Sequence, residues 1–401
     1  MGWPEYLLAT ALLRFLNRAF AFLPIRRRRV VLATARNEQL EGNLLHLYRA
    51  IQSQHPELEL RLLLEPYRYG LRGKLAYLTR LARGMYYLQT ARLFVVDNAY
   101  FPIHVAAHRP ETTVVQVWHA AGALKRFGLD APALHEPTER RFLHRNYDYV
   151  VVGGDAARQP YADALRTPAS QVLALGSPRT DFFFDRPAMA DARQRLLDAH
   201  PQLVGRKVVL YAPTFRGRGE AKRASPGFDA ARLRAKLSDG HALVLKAHPN
   251  LDPLATPTEG YDVVIDRAAE INEVFTVADI LVTDYSSSIF EWALLGRPLI
   301  LLVPDLEHYA ADPGLYLDYR SELIGTQVTD TDGVAAAIAG DDFDLSTYDA
   351  FVERHLHASD GTASMRFVTR FLGPMRVANR RSVASGPETR SDTLPAHVSH
   401  E

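Results

Sequence analysis

The chain has 401 residues, with 47 Lys and Arg against 46 Asp and Glu, for a formal net charge of +1. That length exceeds one comfortable core and predicts two domains, while the near-zero charge gives no global pull toward nucleic acid. There is no cysteine, which excludes disulfides, a thiol nucleophile, thiolate zinc sites and cysteine-ligated iron–sulfur clusters, and fits a reducing cytoplasm.

Residues 1–29 predict an amphipathic, membrane-associating helix. Tyr6 to Leu23 is rich in Leu, Ala and Phe, but Arg14, Asn17 and Arg18 interrupt it, so it lacks the uninterrupted apolar run of a spanning segment. Arg14 and Arg18 lie one turn apart on one face, and Arg26 to Arg29 follow, a pattern suited to lipid phosphates. The alternative is a plain amphipathic helix docked on the protein's own core.

From Arg29 onward short apolar runs alternate with helical stretches. Val30 to Ala33, Leu60 to Leu64, Leu93 to Val96, Thr113 to Val117 and Tyr149 to Val152 predict strands, and Leu40 to Gln52 a helix. Continuous Val/Leu runs between helices indicate a parallel sheet buried on both faces. Pro66 to Val96 carries Arg68, Arg72, Lys74, Arg80, Arg83 and Arg92 but no acidic residue. It reads as a second basic amphipathic stretch for anionic lipid, or as a solvated helix face.

The alternation restarts after a joint near Arg186 to Gly205. Val208 to Tyr211, Ala242 to Leu245, Val263 to Asp266, Ile280 to Thr283 and Leu299 to Val303 predict a second set of strands. The fold expected is α/β, with two Rossmann-like doubly wound domains at 30–190 and 191–373 facing each other across a cleft. Ligands in such sheets bind outside the carboxyl ends of the strands. Residues 374–401 are Ser-, Arg-, Pro- and Thr-rich without apolar period and predict a disordered tail.

Polar residues cluster just after the strands. Trp118-His119 follows Thr113 to Val117 and precedes the small-residue run Ala120-Ala121-Gly122-Ala123, then Lys125 and Arg126. A histidine at a strand's carboxyl end beside a tight turn is placed as a general base, although most histidines are structural. Gly176-Ser177-Pro178-Arg179-Thr180-Asp181 is a turn that offers an arginine. Strand 208–211 runs into Ala212-Pro213-Thr214-Phe215-Arg216, and strand 242–245 into Lys246-Ala247-His248-Pro249. Arg and Lys are the usual phosphate partners, and a histidine among them neutralises developing phosphate charge. Each fragment alone also reads as an ordinary strand-end turn, with Arg216 solvated.

Ala278 to Glu291 combines a buried strand, a polar turn and a helix start that Ser286 or Ser287 would cap. Free amides and hydroxyls there suit a diphosphate. Glu291, one turn further in, would accept ribose hydroxyls or favour the helix dipole. Neither a G-x-x-x-x-G-K-[ST] loop nor a G-x-G-x-x-G after the first strand is present, which argues against P-loop and dehydrogenase chemistry. Asp342 and Asp344 read as a solvated turn, so no cofactor and no essential metal are expected.

Taken in this order, the motifs resemble the CDP-glycerol glycerophosphotransferase family of teichoic acid synthesis, from about Val95 to Phe371. The resemblance rests on residues 116–125, 176–181, 210–216, 246–249, 283–287 and Gly314-Leu315-Tyr316-Leu317-Asp318. It implies a GT-B-like fold with the nucleotide in the C-terminal domain and the acceptor in the N-terminal one. By resemblance, His119 is the base for the acceptor hydroxyl and His248 stabilises phosphate charge. Arg179, Thr214, Lys246, Ser286, Ser287 and Glu291 then hold the CDP-alditol, with Trp118, Gly122 and Pro213 in the same binding set. Ala120 where many members have Gly, Glu291 where many have Asp, and the short N-terminal region resemble members that add a first glycerol phosphate.

The reaction implied is attack of an acceptor hydroxyl on the β-phosphorus of CDP-glycerol or CDP-ribitol with release of CMP. A lipid-linked acceptor would place the enzyme peripherally on the cytoplasmic face of the cell membrane, against an anionic surface. Two alternatives stay open: a GT-B glycosyltransferase using a nucleotide sugar, and a non-catalytic membrane-associated nucleotide-binding protein.

Overall fold

The computed structural model describes residues 3–65, 71–131, 137–214, 216, 226–247 and 258–373. The sequence motifs at Phe215, at His248 and Pro249, and the tail from 374 lie outside the described residues.

Two six-stranded sheets organise the chain. The first holds β1 (Arg26–Thr34), β2 (Glu59–Leu64), β3 (Ala91–Val96), β4 (Thr113–Gln116), β5 (Tyr149–Val152) and β6 (Val172–Ala174), in the order β2-β1-β3-β4-β5-β6. The second holds β7 (Lys207–Tyr211), β8 (His241–Lys246), β9 (Val263–Ile265), β10 (Ile280–Thr283), β11 (Leu299–Leu302) and β12 (Thr326–Val328), in the order β12-β11-β10-β7-β8-β9. Every pairing in both sheets is parallel. Relabelled in chain order, the second sheet reads 3-2-1-4-5-6, the dinucleotide-binding order, and its order reverses between β7 and β10.

Burial on both faces explains the apolar runs. In β1, Val30 and Leu32 pack on Leu44, Leu47 and Ile51 of the helix α2 (Gly42–Gln54). Val31 and Ala33 face the other way, against Leu13 of α1 (Trp3–Phe20) and Leu81, Met85 and Leu88 of α3 (Leu71–Thr90). Neither face has solvent to answer, so alternation is absent. β6 and β12 were not foreseen: three residues at the end of a sheet leave too short an apolar run to signal.

The N-terminal segment departs from expectation in two respects. Tyr6, Ala9 and Leu13 are buried, so α1 docks on the first half by one face, as in the core-docked alternative, while Leu8 and Phe15 stay 69% and 66% exposed. Arg26 to Arg29 open β1 rather than form a free basic cluster. Arg29 is buried, donating to Thr90 Oγ1 at 2.8 Å and paired with Glu59 at 3.2 Å, because it sits where β1 passes under α3. Of the basic residues in Pro66 to Val96, Arg83 pairs with Glu65 and Arg92 lies within β3.

The last described helix, Ala363–Leu372, returns to the first half. Its Phe367, Val368 and Leu372 join the cluster around Val30 and Leu32. A second shared cluster joins Ala121, Leu124, Phe182 and Phe183 of the first half to Phe275, Phe290 and Trp292 of the second.

Candidate active site between the two sheets

His119 leaves the carboxyl end of β4 through a strained turn. Trp118 has φ of +47°, the left-handed region, which costs a side-chain-bearing residue about 1–2 kcal/mol and persists only where its surroundings hold it. Two groups do so. Gln116 Oε1 accepts the Trp118 N–H at 2.8 Å, and Asn43 Nδ2 donates to the carbonyls of Val117 (3.0 Å) and Trp118 (2.9 Å).

The His119 ring stacks on Trp118 with centroids 4.6 Å apart, and its Nδ1 lies 3.3 Å from the Asp97 carbonyl. A carbonyl can only accept, so Nδ1 carries the proton and Nε2 keeps its lone pair. Burial, helped by the positive charges of Arg36, Arg179 and Lys125, pushes the imidazole down to about 3. It is therefore neutral at physiological pH.

Arg179 links this turn to the second half. Its Nη1 donates to the His119 carbonyl at 3.1 Å, its Nη2 to Glu270 at 2.5 Å, and its Nε lies 3.7 Å from Glu291 Oε1. The rest of the 176–181 motif holds it in place. Asn43 Oδ1 accepts the Arg179 N–H (2.9 Å) and the Ser177 hydroxyl (3.0 Å), and Asp181 accepts the N–H groups of Ala363 and Ser364. Gly176 has φ of +90° and passes so close to the Ala358 carbonyl that no Cβ would fit.

Glu291, 2% exposed, has no hydrogen bond to Oε2 among the described residues, and burial raises its carboxyl against the opposing pull of Arg179. Gly122 meets the Phe290 ring, which a Cβ would approach to 2.5 Å. Its smallness therefore serves packing between the halves.

Where the second sheet reverses, the carboxyl ends of β7 and β10 are laced together. Asp284 accepts the backbone N–H of Thr214 at 2.8 Å, its hydroxyl at 2.9 Å, and Arg216 Nη1 at 2.8 Å. The solvated reading of Arg216 is overturned. Its guanidinium is buried, paired again with Asp305 at 2.8 Å, and lies 4.9 and 5.0 Å from the ring centroids of Tyr285 and Tyr309. Two carboxylates already neutralise it, because an unpaired guanidinium could not be buried there. Pro213 is buried in the same turn.

Ser286 Oγ accepts the Ser288 N–H at 3.2 Å and lies 2.7 Å from the Ser288 hydroxyl, whereas Ser287, the N-cap of the six-residue helix Ser288–Ala293, makes no side-chain cap bond. Ser286, one residue before the N-cap, thus takes the first helical amide, and the expected N-cap bond is not made. Lys246, at the end of β8, donates to the Arg267 carbonyl at 2.8 Å. Burial lowers its ammonium to about 8, against the raising effect of Glu270 and Asp266.

The cleft beside Arg179 measures about 280 Å³ and is lined by Glu41, His46, Arg49, Glu270 and Asn272. The structure thus brings His119, Trp118, Arg179 and Glu291 into contact, with Lys246 joined through the field of Glu270 and Thr214 through Asp284 to the serine turn. Asn43, Asp97 and Glu270 were missed. Asp97 and Glu270 follow the strands at 93–96 and 263–266, so the rule that found His119 would have reached them. Asn43 opens a helix and gave no such signal.

Residues 15–373 match the model of a family described as CDP-Glycerol:Poly(glycerophosphate) glycerophosphotransferase. The chain belongs to this family. It is a phosphotransferase, and the reaction class comes with membership: an alditol phosphate moves from a CDP-alditol. The transferase is 34% identical over 88% of its length to the teichoic acid ribitol-phosphate primase of Bacillus spizizenii, covering 93% of that protein. It is 32% identical over 92% of its length to the teichoic acid poly(ribitol-phosphate) polymerase of the same organism, covering 60% of it. Among solved structures, a variant of the wall teichoic acid polymerase TagF superposes with a TM-score of 0.71 at 20% identity, covering 89% of this chain and 92% of that one. At that identity the likeness supports the two-sheet, GT-B-like fold expected from sequence.

Among the described residues no group of three metal-ligating side chains is found. Asp344 accepts the Ser346 N–H in an exposed turn.

Proposed function

We propose that the transferase moves one glycerol or ribitol phosphate from the CDP-alditol to a hydroxyl of a lipid-linked acceptor, releasing CMP. The observation that carries this reading is the single guanidinium of Arg179, which touches the His119 carbonyl on one side and Glu270 and Glu291 on the other. This contact supports the reading, because His119, the proposed base, and Glu270 and Glu291, in the proposed nucleotide half, then meet at one side chain.

In the proposed reaction His119 Nε2 takes the proton of the acceptor hydroxyl. The acceptor oxygen bonds to the β-phosphorus, the bond to the bridging oxygen breaks, and CMP leaves with the electron pair. Arg179, Lys246 and the serine turn at 286–287 hold the diphosphate, with Arg179 exchanging Glu270 for phosphate. Positioning and fixed positive charge then supply most of the acceleration. His248 is proposed for the same phosphate, on the sequence resemblance alone. The acceptor is assigned to the half at 30–190 and the nucleotide to the half at 191–373.

Single addition is proposed from the Ala120-Ala121-Gly122 form, which resembles members that add a first glycerol phosphate. Attachment to an anionic membrane surface is proposed from the exposed Leu8, Phe15 and Phe22 around α1, beside Arg14 and Arg18. No described helix is long and apolar enough to cross a membrane.

Incubation with CDP-glycerol or CDP-ribitol and a lipid-linked acceptor tests the reading. CMP must appear in step with consumption of the acceptor. Turnover of a nucleotide sugar with release of a nucleoside diphosphate would instead establish the glycosyltransferase alternative.

A further inference from the structure

Lys125 stands on a segment of the first half that the second half clasps. Its backbone pairs antiparallel with Leu315, flanked by bonds from Arg126 N to the Gly314 carbonyl (3.0 Å) and from Tyr316 N to the Leu124 carbonyl (2.9 Å). The Gly-Leu-Tyr-Leu-Asp motif thus fixes where Lys125 stands.

From this position its ammonium lies 6.0 Å from the centroid of the Tyr309 ring. Arg216 shares that ring, at 5.0 Å, and Tyr309 in turn stacks on Tyr285 at 3.7 Å. The two cations are not equivalent. Arg216 is neutralised by Asp284 and Asp305. Asp284 also holds both the amide and the hydroxyl of Thr214, so its oxygens are already engaged.

Lys125 therefore has no carboxylate partner among the described residues, though it is half-buried. Burial lowers its pKa, Asp284 raises it and Arg216 lowers it further. Keeping an unmatched cation out of water is costly unless an anion completes the site. Tyr285, on which Tyr309 stacks, opens the turn that continues into Ser286 and Ser287 of the proposed nucleotide site.

We propose that Lys125 is a phosphate-binding catalytic residue: its ammonium holds the diphosphate of the CDP-alditol and stays on the CMP phosphate as the bond to the bridging oxygen breaks. Together with Arg179, it makes the first half supply cations to a nucleotide seated on the second. The assignment rests on the proposed function.

The test compares wild type, Lys125→Met and Lys125→Arg for calorimetric affinity toward CMP, CDP-glycerol and cytidine, with Arg126→Met as control. Lys125→Met should weaken both phosphorylated ligands about tenfold or more, the loss of one charge-assisted bond, and leave cytidine unchanged. Lys125→Arg should recover part of the affinity, and Arg126→Met should match wild type. Equal CMP affinity in wild type and Lys125→Met overturns the assignment while leaving the function intact. Wild type that binds neither CMP nor CDP-glycerol removes the function and the assignment together. A second measurement needs no variant: CMP, but not cytidine, should slow amine acylation of Lys125 in the full chain, read by peptide mass spectrometry. Acylation that CMP does not slow counts equally against the proposal.

Discussion

The side chain of Asn43 binds the Arg179 amide at 2.9 Å through Oδ1 and the Trp118 carbonyl at 2.9 Å through Nδ2. Both of its amide protons are used, on Val117 and Trp118, and Oδ1 takes a second donor from Ser177. One buried amide thereby sets the distance between the histidine turn and the arginine turn. Asn43→Asp keeps the acceptor and puts a carboxylate oxygen against two carbonyls. The turn at Trp118, already in the left-handed region, should then relax and displace His119. Turnover is expected to fall at least about tenfold, since small displacements of a reacting group are amplified. CDP-alditol affinity should change less than about threefold, because an aspartate can still accept from the Arg179 amide. Steady-state kinetics beside calorimetry decides it, and losses of equal size in both would place Asn43 in nucleotide binding instead.

His119→Ala is expected to lose at least roughly a hundredfold in turnover with nearly unchanged CDP-alditol affinity. The pH profile gives a sharper check. The free imidazole is held at about 3 by burial and by Arg36, Arg179 and Lys125. A base must be deprotonated, so activity falls as pH drops through its pKa. In the free enzyme that limb lies well below neutrality, and kcat/KM for CDP-alditol should show no His119 limb between about pH 5 and 8. A bound diphosphate offsets the neighbouring cations and raises the imidazole. The acid limb of kcat should therefore appear at higher pH than that of kcat/KM. Coincident limbs would separate His119 from the diphosphate field.

Lys246 gives the opposite sign. Its ammonium is lowered to about 8 by burial, and the charge is present below that value and lost above it. CDP-alditol affinity should decline from pH 7 to 9, by about tenfold if one charge-assisted bond is lost. Lys246→Met should bind more weakly at pH 7 and show a slope shallower by about one proton. A wild-type slope retained in the variant would take Lys246 off the phosphate.

Much of this architecture was legible because the strands are buried on both faces. Val30 to Ala33, Tyr149 to Val152 and Ile280 to Thr283 could be read from their Val, Leu and Ile content alone, whereas β6 and β12, short and marginal, could not. Polar residues at strand ends led to His119 and Lys246, since a doubly wound sheet offers ligands those ends, and Arg179 stood out as the cation of a Gly-Ser-Pro turn. What lay beyond reach was long-range pairing. No local pattern says that Arg216 has Asp305 beside it, 89 residues away, or that Asn43 meets Arg179 across 136. The same limit applied to Gly122, whose need for a missing Cβ is set by Phe290 rather than by a ligand.

Membrane attachment can be tested without disturbing the fold. Removing residues 1–29 would cut into β1 and take away the buried Arg29 and Leu13, so a loss of binding would be uninterpretable. Leu8, Phe15 and Phe22 are 69%, 66% and 91% exposed, whereas Tyr6, Ala9 and Leu13 carry the docking face. Replacing Leu8, Phe15 and Phe22 together by Ser removes the proposed lipid contact and keeps the packing. Each apolar side chain withdrawn from lipid should weaken partitioning by about 1.5–3 kcal/mol at full burial. The triple variant should therefore move from vesicles of mixed anionic and zwitterionic lipid into the supernatant on sedimentation. Its turnover on a water-soluble acceptor should match wild type. High salt should weaken wild-type binding in part, through screening of Arg14, Arg18 and Arg26 to Arg28 at the headgroups. Wild type that stays in the supernatant with anionic vesicles, or a triple variant that sediments as well as wild type, removes α1 from the membrane.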